Sequence, residues 1–136
     1  MKQLDLFAVK ENLPQVLEFV GVTLDEIGCG HKPRIQIETA IEEVFVNIAS
    51  YAYDPEVGPA TIRVETSKDP LSVTMSFIDH GKPYDPLAKP DVKLDRSMKE
   101  RKKGGLGIFM VKRSMDDVRY EYKDGKNILT FRKNIE

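Results

Sequence analysis

A chain of 136 residues with 40% hydrophobic and 32% charged side chains suits one folded domain with a real core, and excludes a disordered chain. Its 21 basic and 22 acidic residues leave a net charge of −1, which excludes a whole-surface binder of nucleic acid or anionic membrane. One cysteine, Cys29, excludes an intramolecular disulfide and a cysteine-based zinc site. No apolar run exceeds four residues, so no membrane span is expected. Asp5, Lys10 and Glu11 interrupt the opening where a secretory signal needs apolar residues, and the expected compartment is the cytoplasm.

Lys2 to Val9 alternates loosely and reads as a strand. Asn12 is placed to cap a helix with Pro14 in its first turn. Val16, Leu17, Val20, Leu24 and Ile27 form that helix's apolar stripe, and Gly28 and Gly30 stop it. Pro33 opens the clearest helix, running to about Ala52, with Ile37, Ala40, Ile41, Val44, Ile48 and Tyr51 at helical spacing. Asp54-Pro55 and Gly58-Pro59 end it.

Two strands follow. Thr61 to Ser67 sends Ile62 and Val64 one way and Arg63 and Glu65 the other. After a turn at Lys68-Asp69-Pro70, Leu71 to Asp79 puts Leu71, Val73, Met75 and Phe77 on one face. Asp79 shares their parity, so a carboxylate ends an apolar row. Residues 80–103 make a long connection kept irregular by Pro83, Pro86 and Pro90, and loops of this length in small domains are usually functional or mobile. Between Lys93 and Lys103 lie six basic and two acidic residues, a local charge of +4. Gly104-Gly105-Leu106-Gly107 leads into a helix, and Val118, Tyr120 and Tyr122 alternate on a strand. Asp124-Gly125 is a two-residue hairpin signal, and the last strand places Asn127, Leu129 and Phe131 on one face. This order suggests an α+β fold, a two-layer sandwich with helices on one face of a mixed, mostly antiparallel sheet.

Four features carry chemistry. Four residues turn a helix by about 400°, so Glu43 and Asn47 share a face among apolar neighbours. A half-exposed polar strip is the plainer meaning. The functional one is a magnesium site, since magnesium takes few protein oxygens and completes its shell with phosphate and water, with the carboxylate as a base. Asp79-His80-Gly81 reads either as an ordinary strand exit or as an inward acceptor for an exocyclic amine, with a glycine for close approach. Gly104, Gly105, Leu106 and Gly107 form either a tight turn or a phosphate-binding helix start. No Lys-Ser/Thr pair follows them and no strand precedes them, so neither a Walker loop nor a dinucleotide fingerprint is present. The basic segment with Lys93, Arg96, Lys99, Arg101, Lys102 and Lys103 is either a solvated loop or a cover for a triphosphate. His31 and His80 have no metal-pair spacing, and Cys29 reads as a structural thiol.

Glu43-x-x-x-Asn47, Asp79-x-Gly81 and Gly105-x-Gly107 occur in the order of the N box and the two glycine boxes of the GHKL superfamily, which the chain resembles from about residue 2 to 133. Asn47-Ile48-Ala49-Ser50-Tyr51-Ala52-Tyr53, Gly105-Leu106-Gly107-Ile108-Phe109-Met110-Val111-Lys112 and Ser114 to Tyr120 look like its small stand-alone branch, the anti-sigma-factor serine-protein kinases of bacterial partner switching. The resemblance implies one histidine-kinase-like ATPase domain over residues 1–136, with an ATP lid at about 82–104. It implies ATP and Mg²⁺ as cofactors, Asn47 as the metal ligand and Glu43 as the general base. Asp79 would bind the adenine amine, Gly81 would lie against the ring, and Gly104, Gly105, Leu106 and Gly107 would serve the phosphates. Where the superfamily often has Gly-Thr near the last strand, this chain has Gly125-Lys126-Asn127, and Asn127 faces inward as the substitute. The partner implied is a small anti-anti-sigma (STAS-type) protein phosphorylated on Ser or Thr, with a sigma factor as competitor and a homodimer as the assembly. The alternative is a catalytically inactive ATP-dependent binding regulator of the same fold.

Overall fold

The computed structural model describes residues 1–88 and 106–135. The N-terminal alternation becomes strand β1 (Lys2–Phe7), with Leu4 and Leu6 turned toward the core and Gln3, Asp5 and Phe7 toward solvent. Helix α1 spans Leu13–Glu26 and buries Val16, Val20, Thr23 and Leu24. Asn12 precedes it but makes no capping bond. Its side-chain amide instead donates to the Phe7 carbonyl at 2.8 Å, tying a short 3₁₀ turn back to β1. Gly28, with φ of 67°, ends α1: its N–H reaches the Asp25 carbonyl and that of Cys29 the Leu24 carbonyl, a Schellman closure.

Helix α2 (His31–Asn47) starts two residues before Pro33, which sits in the first turn where no intrahelical N–H is needed. It buries Ile37, Ala40, Ile41, Val44 and Phe45. The helical spacing predicted as far as Ala52 does not stay α-helical. Ile48–Ala52 widens into a π-turn. Strands β2 (Pro59–Ser67) and β3 (Ser72–Asp79) show the expected parity: Ala60, Ile62 and Val64 are buried, as are Val73, Met75, Phe77 and Asp79. Leu71 falls in the turn before β3. Helix α3 runs Leu106–Ser114. Strands β4 (Asp117–Lys123) and β5 (Lys126–Asn134) form the hairpin, and Asp124 and Gly125 both take positive φ, as a type I′ turn requires.

The five strands lie in the order β1-β2-β3-β5-β4, and every pairing is antiparallel. The three helices cover one face. Between the layers lie Phe45, Ile37, Ile41, Ile62, Met75, Phe77 and Phe131, each at most 1% exposed. Phe77 and Phe131 meet at 5.8 Å between ring centroids, within the range of favourable aromatic pairs. Register carries one polar pair into this core: Asp79 and Asn127 are buried cross-strand partners, flanked in the same row by buried Ala60 and exposed Tyr122. No helix among the described residues is long and apolar enough to cross a membrane.

Candidate functional site

A cavity of about 460 Å³ opens between the end of α2, the π-turn, the sheet and the segment after β3. Asn47, Asp79 and Asn127 all line it, brought together from α2, β3 and β5. Val44, Ile48, Phe77, Ile108 and Leu129 supply apolar walls, and Tyr51 and Tyr84 add exposed aromatic rings. A mostly apolar cavity with a few convergent polar groups is the common form of a small-molecule site.

Asp79 is 4% exposed, and its Oδ1 accepts from the Gly81 N–H at 2.8 Å and from the Asn127 amide at 2.9 Å. Asn127 is fully engaged: its Nδ2 also donates to the Lys82 carbonyl at 2.8 Å and the Gly81 carbonyl at 3.3 Å. Its Oδ1 accepts from the Tyr84 N–H at 3.1 Å and from the Tyr120 hydroxyl. Burial, ahead of the charges nearby, pushes the Tyr120 phenol above its ordinary pKa, so it stays a donor.

Gly81 is not among the residues that line the cavity. A Cβ there would stand 2.2 Å from the Ala52 carbonyl oxygen, so the glycine lets the post-β3 segment press against the π-turn, where the Lys82 N–H bonds that same oxygen at 3.1 Å. Tyr53, just after the π-turn, completes the joint: its hydroxyl donates to the Pro59 carbonyl at 2.6 Å and accepts from the His80 N–H at 2.8 Å.

Glu43, one turn before Asn47, also stands off the cavity wall. Its carboxyl group lies against Gly107 in the first turn of α3, where a Cβ would come within 1.9 Å of its Cδ. Burial, and after it the neighbouring Glu42 carboxylate, raise the Glu43 pKa. Among the described residues no three His, Cys, Asp or Glu side chains converge as a metal cluster. His31 and His80 are exposed on separate elements, and Cys29 is half-buried with its thiol pKa raised by that burial, as suits a structural thiol. Gly104, Gly105 and the basic segment from Lys93 to Lys103 lie outside the described residues, and Leu106 opens α3.

A family model described as the histidine kinase-like ATPase domain matches residues 7–133. The chain belongs to this family. Among its relatives is the serine/threonine-protein kinase BtrW of Bordetella bronchiseptica, 30% identical over 97 residues that cover 71% of this chain and 68% of that protein. The anti-sigma F factor of Caldanaerobacter subterraneus is 29% identical over 93 residues, 68% of this chain and 64% of that protein. In fold, this ATPase domain matches the crystal structure of the RsbU and RsbW domains of Rv1364c from Mycobacterium tuberculosis, with a TM-score of 0.66 at 20% identity. That match covers 99% of this chain and a third of the other, 33%.

The sequence reading missed Tyr120, Tyr84, Lys82 and the π-turn. The Asp124-Gly125 hairpin signal did hold the means to find Tyr120. It pairs Tyr122 with Asn127 and Tyr120 with Leu129, which sets the Tyr120 hydroxyl diagonal to Asn127.

Proposed function

We propose that the cavity binds ATP and that the chain transfers its γ-phosphoryl group to a serine or threonine of a small anti-anti-sigma protein, while also sequestering a sigma factor in the phosphate-dependent manner of partner switching. The observation that carries this reading is the convergence of Asn47, Asp79 and Asn127 on one apolar-walled cavity of about 460 Å³. The family match and relatives named as a kinase and as anti-sigma factors support the same reading.

In this reading adenine enters beside Asp79, whose carboxylate accepts from the exocyclic amine. The side-chain carbonyl oxygen of Asn47 would hold Mg²⁺, and the donor set fits: Asn47 at the cavity wall offers one neutral oxygen, and phosphates and water would complete the shell. When bound, the ion would neutralise charge on the phosphates during transfer of the γ-phosphoryl group. Glu43, on the same helix face, takes the proton from the attacking serine hydroxyl as its oxygen bonds to the γ-phosphorus and ADP leaves. A raised pKa suits that task, because a base works best with its pKa nearer the working pH.

Calorimetric titration of ATP with Mg²⁺ into wild type and Asn47→Ala tests the site. Mg²⁺-dependent binding that is lost in the variant is expected, and no binding to wild type overturns the reading. A purified anti-anti-sigma protein that gains one phosphoserine or phosphothreonine with wild type, and none with Glu43→Gln, is the expected transfer result. ATP binding with no transfer to any such partner would leave the inactive regulator as the function.

A further inference from the structure

We propose that Asp54 reads the sugar of a nucleotide held in this cavity: its carboxylate accepts from the ribose hydroxyls and makes the site choose a ribonucleotide over a deoxyribonucleotide. This rests on the reading of the cavity as a nucleotide site and assigns one residue at its mouth.

The cavity has a buried end and an open one. Asp79 and Asn127 are buried, whereas Tyr51, Asp54, Lys82 and Tyr84, on the same wall, are exposed. In an adenine nucleoside the exocyclic amine and the glycosidic nitrogen stand at opposite ends of the base. A base whose amine meets Asp79 therefore carries its sugar toward the open end. Most polar groups between the two ends are already engaged. The N–H groups of His80, Gly81, Lys82 and Tyr84 bond Tyr53, Asp79, Ala52 and Asn127 in turn. The Asn127 amide is taken up by Asp79, Gly81 and Lys82 on its nitrogen and by Tyr84 and Tyr120 on its oxygen.

Side chains at the mouth are what a sugar would meet. The Lys82 ammonium only donates, and a carboxylate only accepts. Asp79 and Asp54 are the two carboxylates on the wall, and Asp54 is the one at the mouth. It makes no hydrogen bond or ion pair among the described residues. A vicinal diol brings two O–H donors, and a carboxylate has an acceptor oxygen for each, the pairing by which an acidic side chain holds ribose in dinucleotide sites. Asp54 also stands on a fixed backbone. The Ala52 carbonyl takes the Lys82 N–H at 3.1 Å, and the Tyr53 carbonyl takes the Glu56 N–H at 2.6 Å. The Tyr53 hydroxyl bridges the Pro59 carbonyl and the His80 N–H. A group held in this way loses little freedom when a ligand arrives.

The test is calorimetry of ATP, 2′-deoxy-ATP and 3′-deoxy-ATP, each with Mg²⁺, against wild type, Asp54→Asn and Asp54→Ala, with thermal denaturation run beside each. Water reaches an exposed carboxylate, so each hydroxyl contributes at the low end of a charge-assisted bond. Wild type is therefore expected to favour ATP over either deoxynucleotide by about tenfold. Asp54→Asn keeps one accepting oxygen and no charge, and the preference is expected to fall to about threefold. Asp54→Ala is expected to bind all three within about twofold of one another. The side chain is exposed and the melting temperatures are expected to stay together, so the ratios report on the ligand and not on the fold. Two results overturn the proposal: a wild type that binds the three nucleotides equally, or an Asp54→Ala that keeps the wild-type ratio. A wild type that binds none of the three overturns the nucleotide reading, and the proposal with it.

Discussion

The carboxyl group of Glu43 rests against the α-carbon of Gly107, so closely that no other residue at 107 leaves it in place. Two residues expected to serve one reaction, a base on α2 and a phosphate-side glycine on α3, are thus in contact. The glycine gives the acid its room.

Replacing Gly107 with Ala therefore acts on Glu43 first. The colliding atoms are the free end of a flexible side chain, which can swing aside. The cost in stability is expected to be about 1 kcal/mol or less. With Glu43 in its proposed role as base, its displacement is expected to slow phosphoryl transfer by about 100-fold or more. Rapid-quench transfer rates set beside melting curves check the split.

Gly81→Ala meets the opposite circumstance. Its Cβ would stand 2.2 Å from the Ala52 carbonyl oxygen, which is backbone and has no way to swing. The contact between the π-turn and the post-β3 segment must open. A loss of about 3 kcal/mol is expected in denaturant titration, far more than for Gly107→Ala.

Glu43→Gln is expected to abolish transfer and yet raise stability at neutral pH. Burial, followed by Glu42, raises the folded-state pKa of Glu43. The folded protein then holds a proton that the unfolded chain releases, so this group's contribution falls as pH rises above the ordinary glutamate range. Glutamine has no such titration. The melting temperatures of variant and wild type should converge in acid and separate above it, with the variant higher. A variant that melts lower at neutral pH than in acid, relative to wild type, would falsify this sign.

Thr23 lies buried in α1, and its hydroxyl has no hydrogen-bond partner among the described residues. Thr23→Val keeps the shape and removes the unpaired group. The gain expected is about 1 kcal/mol, or about 4 °C in melting temperature.

Much of the fold was legible because periodicity reports directly which face is buried. The parity of β3 placed Asp79 in an apolar row, and it is indeed among the buried polar groups. The inward parity of β5 did the same for Asn127. What stayed illegible depends on contacts between residues far apart in sequence. Ile48 and Tyr51 continue the helical spacing of α2, but the fit of Ala52 against Gly81 and Lys82 accompanies a wider turn that no local propensity encodes. Asn12 has the chemistry of a cap and spends it on Phe7 instead. The meeting of Glu43 with Gly107 joins two helices across a stretch without periodicity, where pattern says nothing about distance.

The π-turn also bears on how this chain tolerates changes in length. Such a turn holds one residue more than the α-helical turn it replaces. Removing Ala49 or Ser50 would therefore let the turn close as an α-helical one, with the chain after it still in phase. Tyr51 and the Ala52 carbonyl would stay at the cavity wall, and Tyr53 would keep its hold on Pro59 and His80. A residue added there has no such slack and would rotate everything after it by about 100° about the helix axis. A single-codon deletion in this turn would thus be tolerated, whereas an insertion would spare the Asn47 end of the cavity and dismantle the end where Asp79 sits.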